Sequence, residues 1–209
     1  MNLSFVYKNS FIYSIIIKIL YGKNYKSRFL EVAKEIDEDS SVLDVCSGDC
    51  ALYDIGLKPF KNVKYKGLEI NQTFINNAAK RGLEVTYSNI LVDKIPEADF
   101  VVLQGSLYQF HPDCELVLKT LMNSARKKLI VSEPVQNLSS SSVGFISKLS
   151  KKSANPGDGH KTFRFNERTL IELVKKTFPS NQISYRLIPG KRDLIITIKN
   201  DSKMEPHEN

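Results

Sequence analysis

The chain has 209 residues, 42% of them hydrophobic and 25% charged, a composition that fits one globular domain and excludes a disordered or low-complexity chain. Lys and Arg number 30 against 23 Asp and Glu, giving a net charge of +7, yet the only basic clusters are the short "ARKK" at 125–128 and "KLSKK" at 148–152. A dispersed basic surface is therefore expected rather than a nucleic-acid partner, with attraction to some other anionic partner as the alternative.

Three cysteines without framework spacing exclude a disulfide scaffold and fit a reducing, cytoplasmic setting. Cys46 and Cys50 form a C-x3-C pair, but the next cysteine is Cys114, so no metal site is expected. The apolar run "NSFIYSIII" is too short to cross a bilayer and carries no small-residue cleavage site. Ser10, Ser14, Lys18 and Gly22 recur every four residues and draw one polar stripe along an apolar helix. Residues 1–24 are thus expected to form a lid or an interface. Peripheral membrane contact and homo-oligomer formation through this helix are the alternatives.

"YKSRFLEVAKEI" (25–36) has the periodicity of a second amphipathic helix, and "SVLDVC" (41–46) and "VKYKGLEI" (63–70) have that of strands. Asn71 is placed to cap a helix through "QTFINNAAKR" that ends at Gly82. "EVTYS" (84–88) and "ADFVVLQ" (98–104) are strands three and four. Pro112 suits the first turn of the next helix, with Asp113 and Glu115 at its positive end and Arg126, Lys127 and Lys128 beyond its far end. "KLIVSEP" (128–134) is a fifth strand.

The Ser-, Gly- and Lys-rich stretch 137–160 is expected to be a mobile surface lid. Asn166 then caps "ERTLIELVKKTF", and "ISYRLI" and "DLIITIK" flank "PGKR" as an antiparallel hairpin, leaving 201–209 as a frayed tail. The expected order is five strand–helix units, then a closing helix and a hairpin. It predicts an α/β domain over 25–200 whose mostly parallel sheet carries helices on both faces.

The stretch "VLDVCSGDC" (42–50) is a strand running through a glycine-containing loop into a helix, the arrangement that lets backbone N–H groups approach a polar ligand. Glu69 ends the second strand about 20 residues beyond Gly48, the distance at which nucleotide-binding units place an acid on ribose hydroxyls. Its alternative is a solvated strand-end carboxylate. A single glycine sets the loop apart from a G-x-G-x-x-G dinucleotide fingerprint.

With these residues in place, the sequence resembles the class I S-adenosylmethionine-dependent methyltransferases. "VLDVCSGDC" resembles that family's L-D-[VLI]-G-[CS]-G-T-G motif and "KGLEIN" its second motif. "ADFVVLQGSLYQF" is similar to its fourth strand and following loop, and "KLIVSEP" to its fifth, so the likeness covers roughly residues 25–135. The resemblance implies a Rossmann-like three-layer αβα sandwich, with a seven-stranded, mostly parallel sheet ending in an antiparallel β-hairpin. It also implies S-adenosyl-L-methionine as cofactor. Asp44, Cys46 and Gly48 would then face its amino-acid part, and Glu69 the ribose. Asn89 stands where the family often has Asp near the adenine, with Ile70 and Ile90 as apolar contacts. Gln104 and Gly105 would lie near the transferred methyl.

Cys46 and Cys50 replace the first and last glycines of the motif, so the loop keeps its shape only if Cys50 tolerates φ > 0. His111 is the first candidate for a general base and His160 the second, while Tyr108 and Gln109 could orient an acceptor; each has an ordinary surface or packing role as its alternative. Glu133 is either a pocket acid or a satisfied strand-end carboxylate. "QGSLYQF" stands in place of the [ND]-P-P-[YF] loop of nucleobase-amine methylases, so a small-molecule, saccharide or lipid-linked acceptor is expected. RNA, suggested only by net charge, is the weaker alternative. A non-catalytic module that binds cofactor or a partner is the competing reading of the whole chain.

Overall fold

The computed structural model describes residues 18–19, 21–135, 163–201 and 203. The expectations for the N-terminal helix over 1–24 and for the 201–209 tail therefore fall mostly outside the described residues, and those for the 137–160 segment, with His160, wholly outside them.

Seven segments make the strands: β1 (Ser41–Val45), β2 (Lys64–Glu69), β3 (Val85–Tyr87), β4 (Ala98–Gln104), β5 (Ala125–Pro134), β6 (Ile183–Leu187) and β7 (Asp193–Lys199), with aliphatic and β-branched residues filling β4, β7 and the middle of β5. They form one sheet in the order β3-β2-β1-β4-β5-β7-β6. The pairs among β1 to β5 are parallel, whereas β7 runs antiparallel to both β5 and β6. The expected fold class is thus the observed one.

Strand residues alternate between two cores, as the pleat requires. Leu43, Val45, Val101, Leu103, Leu129 and Val131 enter one core. Val42, Phe100, Val102, Ile130 and Ile195 enter the other. Helices α3 (Cys114–Ser124) and α4 (Glu167–Thr177) cover the first face through Val117, Leu118, Leu121, Leu170 and Val174. Helix α1 (Ser27–Ala33) and a π-helical turn (Leu52–Leu57) cover the second through Phe29, Val32, Leu52 and Leu57. Gly56 sits in that turn because a Cβ there would lie 2.8 Å from the carbonyl oxygen of Phe29, so only glycine lets the turn close on α1.

Helix α2 (Gln72–Lys80) starts as expected, with the Asn71 side chain accepting from the Thr73 N–H at 2.9 Å, and α4 starts with a capping box between Asn166 and Thr169.

Two expectations need correction. There are not five strand–helix units, because the β3–β4 crossover (88–97) has no helix. Asn89 and Asp93 tie it into a turn instead, the Leu91 N–H donating to Asn89 Oδ1 and the Asn89 N–H to Asp93 Oδ2. Pro112 lies before α3 rather than in its first turn. The chain leaves a 3-10 turn (Leu107–Phe110) there, and the Cys114 thiol bonding the Leu107 carbonyl fixes where the helix begins. Arg126, Lys127 and Lys128 follow the end of α3 as expected and already belong to β5, where they face Asp99 at 3.1 Å, Asp37 at 3.6 Å and Glu35 at 3.6 Å.

On α3, Leu121 is fully buried and Leu116 is 59% exposed. Leu121→Ala is expected to cost about 2–5 kcal/mol through lost transfer energy and a residual cavity, whereas Leu116→Ala costs under about 0.5 kcal/mol. Urea unfolding of the two variants checks the contrast.

Candidate functional site

The β1, β2, β4 and β5 strands deliver their C-terminal ends to one pole of the sheet, where open α/β folds bind ligands. The loop leaving β1 has left-handed backbone at every second residue: Cys46 at φ 57°, Gly48 at 53° and Cys50 at 60°. Both cysteines therefore adopt the conformation that glycine accepts most readily. Cys50 is fully buried against Ala78 and Val85, and its N–H donates to the Ser47 carbonyl at 2.9 Å. The substitution costs backbone strain rather than space. At Gly48 a Cβ would meet nothing within 4 Å, so the loop opens onto free volume there. Ser47 turns the other way. Its N–H donates to the Leu68 carbonyl, and its Oγ occupies the place where a Cβ on Gly67 would come within 2.8 Å.

Glu69 ties this loop to the end of β2. Its Oε2 accepts the Gly48 N–H at 2.8 Å, and its Oε1 accepts the N–H groups of Ile70 and Asn71 at 2.9 Å each. It is buried, which rules out the solvated strand-end alternative. Oε2 keeps one lone pair for a further donor. Asp44, in β1, is also buried and accepts from the Tyr65 hydroxyl at 2.9 Å. Burial pushes its carboxyl up to about 7; the Tyr65 bond opposes the shift, and the charges of Glu69 and Asp49 add to it. The Cys46 thiol is driven up by burial first, and then by Glu69, Asp44 and Glu133.

The expected adenine contacts separate. Ile70 is 55% exposed at the mouth, whereas Ile90 is buried in the core beside Leu68. Asn89 stands at the start of the β3–β4 turn with Oδ1 already accepting from Leu91 at 3.2 Å.

At the end of β4 the Gln104 Nε2 donates to the Arg28 carbonyl at 3.0 Å, leaving Oε1 buried with no hydrogen-bond partner among the described residues. Gly105 takes φ 67° and donates to the Ser132 carbonyl at 2.7 Å. Glu133, fully buried at the end of β5, accepts the N–H groups of Ser106 and Leu107 on Oε1 at 2.6 Å each. Its Oε2 has no partner among the described residues. Burial pushes this carboxyl up to about 8 against those two bonds. Of its two sequence readings, one oxygen fits the satisfied strand end and the other the pocket acid.

Tyr108 lies in the 3-10 turn under the Arg164 guanidinium at 4.0 Å, and Gln109 beside it is exposed. His111 is exposed and stacks on Phe163 at 4.0 Å. Among the described residues no acid is hydrogen-bonded to His111.

Three residues here were not singled out from the sequence. The Tyr21 hydroxyl donates to Asp193 Oδ1 at 2.9 Å, and Arg28 approaches the same oxygen at 3.7 Å with its guanidinium 4.1 Å from the Tyr21 ring. The one available signal was Arg28 itself, a charge among the buried positions Phe29, Val32 and Ala33 of α1.

The family described as methionine biosynthesis protein MetW matches residues 26–140. The chain belongs to the MetW family. No curated protein matches the sequence. Among solved structures, this MetW-family chain is similar to magnesium protoporphyrin IX methyltransferase from Synechocystis PCC 6803 with bound SAH, at 12% identity and TM-score 0.60, over 90% of this chain and 94% of that one. A SAM-dependent methyltransferase of Thermotoga maritima, described as a possible histamine N-methyltransferase, aligns at 16% identity and TM-score 0.61 over 95% and 99%. Human N-acetylserotonin methyltransferase in complex with SAM aligns at 13% and 0.64 over 93% of this chain but 57% of its own, so this chain spans well under two thirds of that enzyme. The fold is that of the class I methyltransferases.

Asp44 sets a pH dependence. Its carboxyl is ordinary when unfolded, near 3.9, and about 7 when folded. The folded chain thus holds a proton that the unfolded chain has released, and the associated stability is full below about pH 4 and lost as pH rises through 7. Asp44→Asn keeps an acceptor for Tyr65 without the charge. Its melting temperature is expected to exceed that of the native chain at pH 8, with the gain shrinking toward pH 5, as thermal melts at the two pH values would report.

Proposed function

We propose that this MetW-family chain is an S-adenosylmethionine-dependent methyltransferase acting on a small-molecule acceptor. The observation that carries the reading is Glu69, a buried carboxylate fixed by three backbone N–H groups beside a left-handed loop that opens at Gly48. That arrangement presents a preset acceptor for a ribose diol and a close-approach backbone for a polar tail. Structural neighbours described with bound SAM or SAH support the reading.

Asp44, Cys46 and Gly48 would hold the amino-acid part of the cofactor, Glu69 the ribose, and Asn89 with Ile70 the adenine, backed by the buried Ile90. Gln104 and Gly105 would border the reacting end. When bound, the cofactor supplies a methyl group on a positively charged sulfur. The residues of the chain align the acceptor and keep water out, which is what an in-line displacement needs most. Tyr108 and His111 stand on the rim that an acceptor would cross, and His111 would take a proton only from an acceptor that must lose one. A saccharide or lipid-linked acceptor would meet the same rim. Among the described residues no helix is long and apolar enough to cross a membrane.

Calorimetric titration with SAM and SAH tests the reading. Micromolar binding is expected, weakened at least about tenfold by Glu69→Ala, since charged hydrogen bonds are lost. No binding to protein shown to be folded would overturn it. Binding without transfer to any member of an amine, hydroxyl and thiol acceptor panel would favour the cofactor-binding module instead.

A further inference from the structure

The chain carries a net charge of +7, yet its buried ionisable groups are mostly acids. Among the described residues the buried ionisable acids and bases of full charge are Asp44, Glu69, Glu133, Asp193 and Arg28, four carboxyls to one guanidinium, and all five belong to the pole described above. A cluster of acids alone says little, because protons can neutralise it. Here one carboxyl oxygen distinguishes the cluster. Glu133 Oε2 is buried without a hydrogen-bond partner among the described residues, while Oε1 is pinned by Ser106 and Leu107 so that the carboxyl cannot turn away.

The contacts also link Glu133 to the β1 loop, where the proposed function would put the cofactor. Cys46, the first residue of the β1 loop, is in hydrogen-bond contact with Ser106, whose N–H is held by Glu133. The carboxyls of Glu69, Asp44 and Glu133 are the charges that weigh on the Cys46 thiol. Around Glu133 itself stand Arg28 from α1, Asp193 from β7, Tyr21 ahead of α1 and the Cys114 thiol of α3. Arg28 is the cation that weighs on Glu133 among the described residues, and it also faces Asp193 at 3.7 Å.

We propose that Glu133, through Oε2, makes this site favour the sulfonium cofactor over its thioether product. This deepens the methyltransferase reading and rests on it. In the transfer the S–CH3 bond breaks, the acceptor atom gains the methyl, and sulfur keeps the electron pair and loses its positive charge. The product therefore leaves a pole whose carboxylate field no longer holds it. Discrimination of this kind limits product inhibition without any contact to the acceptor.

The protonation of Glu133 supplies the signature. Burial pushes the carboxyl up to about 8, so at pH 7 it is mostly protonated, and a bound cation pulls the proton off. Calorimetry at pH 7 in two buffers of different ionisation enthalpy is expected to show greater proton release with SAM than with SAH. In Glu133→Gln that difference disappears. The ratio of SAH to SAM dissociation constants at pH 8 is expected to fall about tenfold, chiefly through weaker SAM binding. A folded variant with an unchanged ratio, or equal proton release for both ligands in the native chain, overturns the proposal while leaving the methyltransferase reading intact. If Glu133→Gln does not fold, the native-chain proton count decides alone. Failure of both ligands to bind the folded native chain removes the cofactor reading, and this proposal with it.

Discussion

The geometry of the candidate site depends on one carboxylate. Glu69 ends β2, yet its oxygens hold N–H groups from two places, Gly48 in the β1 loop and Ile70 with Asn71 at the start of α2. A β1 loop made of alternate left-handed residues has few internal hydrogen bonds to hold it, so its position is set from outside. Charge-assisted bonds to backbone donors contribute about 1.5–3 kcal/mol each, and a buried carboxylate keeps its charge when its oxygens are so occupied. The same side chain thus satisfies its own burial, fixes the loop and orients the start of a helix.

Strain gathers where this anchoring is strongest. A left-handed non-glycine residue costs roughly 1–2 kcal/mol, and the loop contains two, Cys46 and Cys50. Each is small, and the cysteine with no exposed surface, Cys50, packs against Ala78 and Val85 in the layer that α2 forms with the sheet. Side-chain burial and the Glu69 bonds together offset a backbone conformation that neither cysteine favours alone. A larger residue at position 50 would need the same φ and more room than Ala78 and Val85 leave.

Much of the fold was legible because it is written in local period. The near-continuous apolar strands, the caps at Asn71 and Asn166 and the closing hairpin all follow from residues within a turn or two of one another. Glu69 was legible for a related reason, a fixed spacing from Gly48. What escaped is long-range or ambiguous in type. Tyr21 and Asp193 meet across 172 residues of sequence separation, and nothing near either one announces the other. β5 opens at Ala125, ahead of the expected Lys128, and Arg126 and Lys127 are held there by Asp99 and Asp37 on other parts of the chain. Glu133 kept two readings because each of its oxygens obeys a different one.

The distribution of charge gives these pieces a common logic. Lysines and arginines dominate the chain, but at the surface they are solvated or paired with acids across short distances, and each pair contributes little. The buried carboxyls are different, since each is held away from water and raised or pinned by its neighbours. Asp44 and Glu133 meet that cost by holding protons, and Glu69 meets it with backbone donors. A ligand bringing hydrogen-bond donors and positive charge would replace the protons and stabilise the folded chain by mass action. The strained loop and the desolvated acids lie at the same strand ends, and one ligand there would relieve both.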